Sequence, residues 1–356
     1  MSQPHASQKK IDVLIVDDSA TMRALVRHAL EEAPDIRVVG EAADAFQARE
    51  EIKKRSPDVL TLDVDMPGMN GLDFLQRLMK HRPMPVVMLS ALTAKDSATA
   101  MKALSLGAID CIEKPRVGRQ SNTFRNLSQS LRVAARANLR AAMPKKPNLT
   151  QAAPRVRMDG LRDIVLIGAS TGGLEAIGTV LSSMPERCPP VLITQHMPKN
   201  FLTQFAEHLD RRVPAKVRVA MEGDQILPGR ILLAPGGAHH LVVSPDDPTR
   251  LHLKEGPTRS GHRPSVDEMM LSAQHLAKRS IAVLLTGMGS DGARGMAALK
   301  SKGALCIGQD AESCVVYGMP KVAAEIGGVS EQLPLSEIGP RIMAEARVPE
   351  STRVIQ

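Results

Sequence analysis

Aromatic side chains are nearly missing from this sequence of 356 residues: it has no Trp, one Tyr and five Phe. Its cores must rest on Leu, Ile, Val, Ala and Met, and 19 Met are available to fill gaps. Long apolar runs are missing too. None approaches the roughly 18 residues that would span a bilayer, so membrane insertion is not expected. Residues 1–10 are polar and lack the apolar stretch of a secretory signal. Cysteine is scarce: Cys111, Cys188, Cys306 and Cys314 form neither a C-x-x-C pair nor a zinc spacing. Reduced, buried thiols in a cytoplasmic protein are the expectation.

Acidic residues are absent from one stretch, 119–158, which carries nine Lys or Arg. The formal net charge of +8 belongs to that stretch, because the rest of the chain has 37 basic against 38 acidic residues. Neither half is a basic domain, and no basic face with base-reading residues is evident, so nucleic acid is not an expected partner.

What is present is a globular composition, 43% hydrophobic and 24% charged, at a length that favours two domains. Over residues 10–140, short apolar strands alternate with stretches of helical period. The strands are Ile11-Asp12-Val13-Leu14-Ile15-Val16, Val38-Val39, Val59-Leu60-Thr61-Leu62, Val86-Val87-Met88-Leu89 and Asp110-Cys111-Ile112. Five such units predict a doubly wound parallel α/β sheet of flavodoxin-like type. Residues 141–159, rich in Pro, Ala and basic residues, read as a linker. A second α/β pattern over 160–348 starts at Ile164-Val165-Leu166-Ile167. It predicts a mainly parallel, Rossmann-like sheet with strands near 191–194, 217–220, 231–234, 241–243, 282–286 and 304–307. Helices are expected over 174–182, 266–277 and 292–301, and an antiparallel excursion within 231–253.

In such sheets, sites form beyond the carboxyl ends of the strands. The first half places Asp17 and Asp18, Asp63, Ser90 and Lys114 there. Converging carboxylates repel one another, and a hard divalent cation with oxygen ligands relieves that. Lys114 and Ser90 could hold an anion beside the metal, and one Asp could then attack phosphorus.

These segments, Val16-Asp17-Asp18-Ser19, Asp63-Val64-Asp65-Met66-Pro67-Gly68-Met69-Asn70-Gly71, Ser90-Ala91 and Lys114-Pro115, resemble the receiver domain of bacterial response regulators. The resemblance implies that Asp63 accepts a phosphoryl group from a histidine kinase. It also implies Mg²⁺ on Asp18, Asp63 and the backbone carbonyl of Asp65 with Asp17 close by, and phosphate sensing by Ser90 and Lys114. At the position three residues before the lysine, often aromatic in receivers, stands Cys111.

In the second half, strand 164–167 runs into Gly168-Ala169-Ser170-Thr171-Gly172-Gly173, a G-x-S-x-G at a strand-to-helix turn. A serine needs a base, and His196 follows the next strand. The base needs an orienting acid, and Asp291 follows a later one. His239, His240 and His262 compete for the role of base. The order Ser, His, Asp is not that of α/β-hydrolases. Gly287-Met288-Gly289-Ser290-Asp291-Gly292 also fits the dinucleotide motif G-x-G-x-x-G, with Asp310 near the spacing of a ribose-binding acid. A receiver-regulated binding module is thus an alternative from another class.

Residues 160–348 resemble the catalytic domain of the chemotaxis protein-glutamate methylesterases. The carrying segments are Ile167-Gly168-Ala169-Ser170-Thr171-Gly172-Gly173, Gln195-His196-Met197-Pro198, Leu233-Ala234-Pro235-Gly236, Arg263-Pro264-Ser265-Val266-Asp267 and Leu285-Thr286-Gly287-Met288-Gly289-Ser290-Asp291-Gly292. The resemblance implies Ser170 as nucleophile, His196 as base, Asp291 as orienting acid, and the backbone N–H groups of Thr171 and Met288 as oxyanion donors. It implies no cofactor in this domain. The implied substrate is the methyl-esterified glutamate of methyl-accepting chemotaxis receptors, with glutamine deamidation as a companion activity.

Overall fold

The computed structural model describes residues 9–90, 94–114, 122–142 and 162–346. The chain forms two compact units that divide after Pro144. The linker expected over 141–159 falls, apart from its first two residues, outside the described residues.

The first unit alternates β1 (Ile11–Val16), α1 (Ala20–Glu31), β2 (Ile36–Ala42), α2 (Ala45–Arg55), β3 (Val59–Asp63), α3 (Gly71–His81), β4 (Val86–Ser90), α4 (Ala94–Ser105), β5 (Asp110–Glu113), α5 (Asn122–Ala135) and a short α6 (Leu139–Ala142). All four strand pairings are parallel, in the order β2-β1-β3-β4-β5. Val13, Leu14, Leu60, Val86 and Met88 are fully buried, because helices cover both faces of a parallel sheet. Helix starts are fixed by side-chain caps: Ser19 accepts from the Met22 N–H, Asp44 from Gln47 and Asn70 from Asp73. The strand order reverses between β1 and β3, which opens a crevice at their carboxyl ends.

The second unit contains β6 (Ile164–Ala169), α7 (Gly173–Leu181), β7 (Val191–Gln195), α8 (Lys199–Asp210), β8 (Lys216–Val219), β9 (Arg230–Leu233), β10 (His239–Val243) and β11 (Leu251–Glu255). It continues with α9 (Val266–Ser272), a 3₁₀ turn (Gln274–Arg279), β12 (Ser280–Leu284), α10 (Ala293–Ser301), β13 (Leu305–Gln309), α11 (Met319–Glu325), β14 (Glu331–Leu333) and α12 (Leu335–Glu345). Seven strands form one parallel sheet, β14-β13-β12-β6-β7-β9-β8. The order runs outward from β6 in both directions, so the switch point lies at the carboxyl ends of β6, β7 and β12. Leu166, Leu192, Ala282 and Leu284 are fully buried beneath that edge, and each buried Leu contributes roughly 1.5–3 kcal/mol. The site residues therefore stand on fully buried strands.

The expected antiparallel excursion is present, and other details depart from the sequence reading. The segment 230–233 joins the parallel sheet, and the antiparallel excursion is the separate hairpin of β10 and β11, with Leu241 opposite Leu253. The helix expected over 266–277 stops at Ser272, whose hydroxyl donates to the Met269 carbonyl and accepts the Val243 N–H from β10. Helix α8 was not expected, although Phe201, Leu202, Phe205, Ala206 and Leu209 bury one helical face.

Candidate functional site

In the first unit, the loops after β1 and β3 bring the acids together. Ligand-capable oxygens of Asp17, Asp18 and Asp63 lie within 4.8 Å of one another. Asp17 and Asp63 are buried, and Asp18 is exposed. Lys114, at the end of β5, sits 2.7 Å from Asp63 Oδ1 and 3.1 Å from Asp17 Oδ2. Arg23 holds the acidic loop from below by donating to the carbonyls of Asp17 and Asp18, a role that its place in α1 did not signal.

Burial pushes the Asp63 carboxyl up to about 6; Lys114 pulls it back and the Asp17 charge adds to the rise. Burial alone would lower the Lys114 ammonium, but its hydrogen bond and ion pair with Asp63, aided by Asp17, leave it above the ordinary value. Asp63 Oδ2 and Ser90 Oγ are buried without a hydrogen-bond partner among the described residues. Such orphans are costly unless something else contacts them. Three clustered carboxylates, one of them with the orphaned Asp63 Oδ2, fit a small, hard divalent cation. Asp65 lies outside the carboxylate cluster; its backbone N–H bears on Asp63. Cys111 is partly buried against the core of this unit.

In the second unit, Ser170 follows β6 in a turn that only small residues allow. Gly172 has φ +80°, and a Cβ there would fall 2.7 Å from Val315. The loop after β12 presses on the same turn: a Cβ on Gly287 would lie 2.6 Å from the Ser170 Cβ. Met288 follows Gly287 in that loop. The Ser170 N–H donates to the Thr286 carbonyl at 3.0 Å, and Thr286 Oγ1 donates to the Thr171 carbonyl.

His196 Nε2 lies 2.7 Å from Asp291 Oδ2. Asp291 also accepts from Ser265 Oγ at 2.8 Å and from the N–H groups of Val266 at 2.7 Å and Asp267 at 3.1 Å. Burial alone would raise the Asp291 carboxyl; the His196 hydrogen bond and charge, with the Val266 and Ser265 donors, outweigh that and lower it. The carboxylate stays charged, so His196 Nε2 carries the proton and Nδ1 is left as the acceptor. Nδ1 is buried without a hydrogen-bond partner among the described residues. The Ser170 hydroxyl is not bonded to it, as is common when no substrate is bound. The two residues are tied through the main chain, His196 N–H to the Ala169 carbonyl at 3.1 Å.

The competing histidines separate cleanly. His240 is buried, accepts the Ser265 N–H at Nδ1 and lies 3.0 Å from the Pro257 carbonyl through Nε2, so both nitrogens are used. His239 pairs with Glu255 on the hairpin. His262 stacks on His196, with ring centroids 3.7 Å apart and planes 7° from parallel. The dinucleotide reading loses its ribose-binding acid: Asp310 Oδ1 accepts from the Ser313 N–H and hydroxyl. Ser265 and the His262 stack were not anticipated, although both lie in or beside segments that carry the resemblance.

A family model for the CheB methylesterase matches residues 165–342, and one for the response regulator receiver domain matches 13–121. The protein-glutamate methylesterase/protein-glutamine glutaminase 1 of Caulobacter vibrioides is 48% identical over 339 residues, covering 94% of this chain and 97% of that one. The protein-glutamate methylesterase/protein-glutamine glutaminase of Salmonella typhimurium is 43% identical over 350 residues, covering 97% and 99%. Among solved structures, the CheB methylesterase catalytic domain of Thermotoga maritima matches 51% of this chain and 97% of its own, at 34% identity and a TM-score of 0.49.

Proposed function

We propose a function from the premise of membership: the chain belongs to the CheB methylesterase family, with a receiver domain preceding the methylesterase domain. It is a protein-glutamate methylesterase that demethylates glutamate methyl esters on methyl-accepting chemotaxis receptors, releases methanol and also deamidates receptor glutamines. No helix among the described residues is long and apolar enough to cross a membrane, and we place the enzyme in the cytoplasm.

The reading rests on one observation above the rest: His196 is bonded through Nε2 to a charged, buried Asp291 and is tied through its main-chain N–H to the Ala169 carbonyl, immediately before Ser170. Ser170 Oγ attacks the ester carbonyl, and its proton passes to His196 Nδ1. The backbone N–H groups of Thr171 and Met288 hold the oxyanion. Collapse expels methoxide, which takes the proton from His196 and leaves as methanol. A water deprotonated by the same base then opens the acyl-enzyme to glutamate. With a glutamine amide, ammonia leaves by the same path.

In the receiver, Asp63 is the phosphoryl acceptor and a chemotaxis histidine kinase the donor. Asp18, Asp63 and the Asp65 carbonyl, with Asp17 beside them, would hold Mg²⁺, which supplies charge neutralisation for the phosphoryl group. Ser90 and Lys114 bind the transferred phosphoryl oxygens. Methanol release from methylated receptors, measured with and without a small phosphodonor, tests both halves together. A rise with the phosphodonor is expected; no methanol in either arm overturns the assignment.

A further inference from the structure

Gln195 ends β7 immediately before His196, and the reaction as described gives it no part. It is buried, with 3% of its surface exposed. Its Nε2 donates twice: to the Ser170 carbonyl at 2.9 Å and to the His196 carbonyl at 3.2 Å. The two acceptors belong to the two residues that must meet for proton transfer. One planar amide thus sets the distance between the peptide units of Ser170 and His196. The Gly173 N–H also donates to the Ser170 carbonyl, at 2.8 Å, so that carbonyl is held from two sides.

The other end of the amide is unsatisfied. Gln195 Oε1 is buried with no hydrogen-bond partner among the described residues, and it lies 2.0 Å from where a Cβ on Gly173 would be, so only glycine fits there. Exchanging the amide's oxygen and nitrogen would point an acceptor at two carbonyl oxygens, which fixes the orientation. A buried acceptor without a donor costs roughly 1–3 kcal/mol. A side chain kept only for stability would not carry that cost, since an apolar residue of the same shape avoids it.

We infer that Gln195 is a positioning residue for the hydrolytic reaction: its amide holds Ser170 and His196 in register, at some expense of stability. The inference rests on the reading of Ser170 as nucleophile and His196 as base. The nature of the clamp predicts opposite effects on rate and stability. Gln195→Met keeps the length of the side chain and removes both donors and the orphaned acceptor. Gln195→Glu keeps the shape and puts carboxylate oxygens against the two carbonyls.

The experiment uses the full-length protein and its Gln195→Met, Gln195→Glu and Ser170→Ala variants. Thermal melting is measured for each, with kcat and KM for hydrolysis of a p-nitrophenyl ester. For Gln195→Met, a melting temperature at or above that of the unaltered protein is expected, with kcat down about 10- to 100-fold and KM changed less than about threefold. Such a split marks loss of transition-state alignment rather than of binding. Gln195→Glu should lose at least as much kcat. Wild-type kcat in a folded Gln195→Met protein overturns the clamp. Failure of both Gln195 variants to fold also overturns it, because the amide then holds the domain together rather than aligning two residues. An active Ser170→Ala protein removes the underlying reading instead, and the two failures are thereby told apart.

Discussion

His196 meets Asp291 through Nε2 at 2.7 Å, while the Nδ1 of the same ring is buried and has no hydrogen-bond partner among the described residues. The imidazole therefore has one tautomer available, with the proton on Nε2 and the lone pair on Nδ1. Asp291→Asn keeps the shape of the acid and offers an amide in place of a charged acceptor. The wrong tautomer is then favoured, and kcat should fall on the order of 10⁴-fold, as in other serine triads. Ester hydrolysis by the purified, folded variant checks this, and a loss below tenfold would mean that Asp291 does not orient the base.

Ser265 gives the same carboxylate a hydroxyl donor at 2.8 Å, in addition to two backbone N–H groups. Ser265→Ala removes one of four donors. A fall in kcat of about 3- to 30-fold is expected, smaller than for Asp291→Asn. Steady-state kinetics on the two variants side by side gives the ranking, which should not invert.

His262 is held neutral against His196. Burial drives its pKa down to about 4 from an ordinary 6.5; the His196 charge adds to the fall and Asp291 opposes it. The flanking Arg259 and Arg263 are engaged elsewhere, with Glu268 and with the carbonyls of Gly237 and Gly256. A depressed histidine pKa means that the unfolded chain takes up the proton first. The resulting loss of stability is absent above about pH 6.5 and grows as pH falls toward 4. His262→Phe keeps a flat ring and removes that proton site. Melting curves at pH 7.5 and pH 5 should show His262→Phe gaining on the unaltered protein at the lower pH; an equal difference at both would contradict the shift.

Asp63 is buried beside Asp17 with a single ammonium, Lys114, between them. Without a cation the pair is over-charged, so Asp63→Asn should melt a few degrees higher than the unaltered protein in chelator. Mg²⁺ should stabilise the unaltered protein more and narrow the gap. The same variant should keep basal esterase activity and lose the response to small phosphodonors. A full phosphodonor response in Asp63→Asn would remove this residue from the mechanism.

A receiver that restrains the hydrolase has a kinetic signature. We expect residues 155–356 alone to outpace the unphosphorylated full-length enzyme and to ignore a phosphodonor. A tenfold gain would correspond to about 1.4 kcal/mol in favour of the restrained state. A folded fragment slower than the resting full-length enzyme would mean that the receiver assists catalysis.

Most of the scaffold was legible because many of the parallel strands are short, mainly apolar runs such as 11–16 and 164–169. The acids at their ends announced the first site, and the glycines around Ser170 announced the second. What the sequence hid was contact across elements. Ser265, Gln195 and His262 act through neighbours far along the chain, 26, 25 and 66 residues away for Asp291, Ser170 and His196. Neither period nor spacing encodes such meetings. The end of α9 at Ser272 was likewise invisible; there the Ser272 hydroxyl accepts the Val243 N–H from β10.

The central claim is that Ser170 forms the acyl-enzyme. The most direct test is methanol release from methylated receptors by purified Ser170→Ala protein, shown to be folded by its melting curve, beside the unaltered enzyme with phosphodonor and Mg²⁺. The account predicts sustained release from the unaltered enzyme and none above background from Ser170→Ala. Release at a near-normal rate from the folded variant would contradict it.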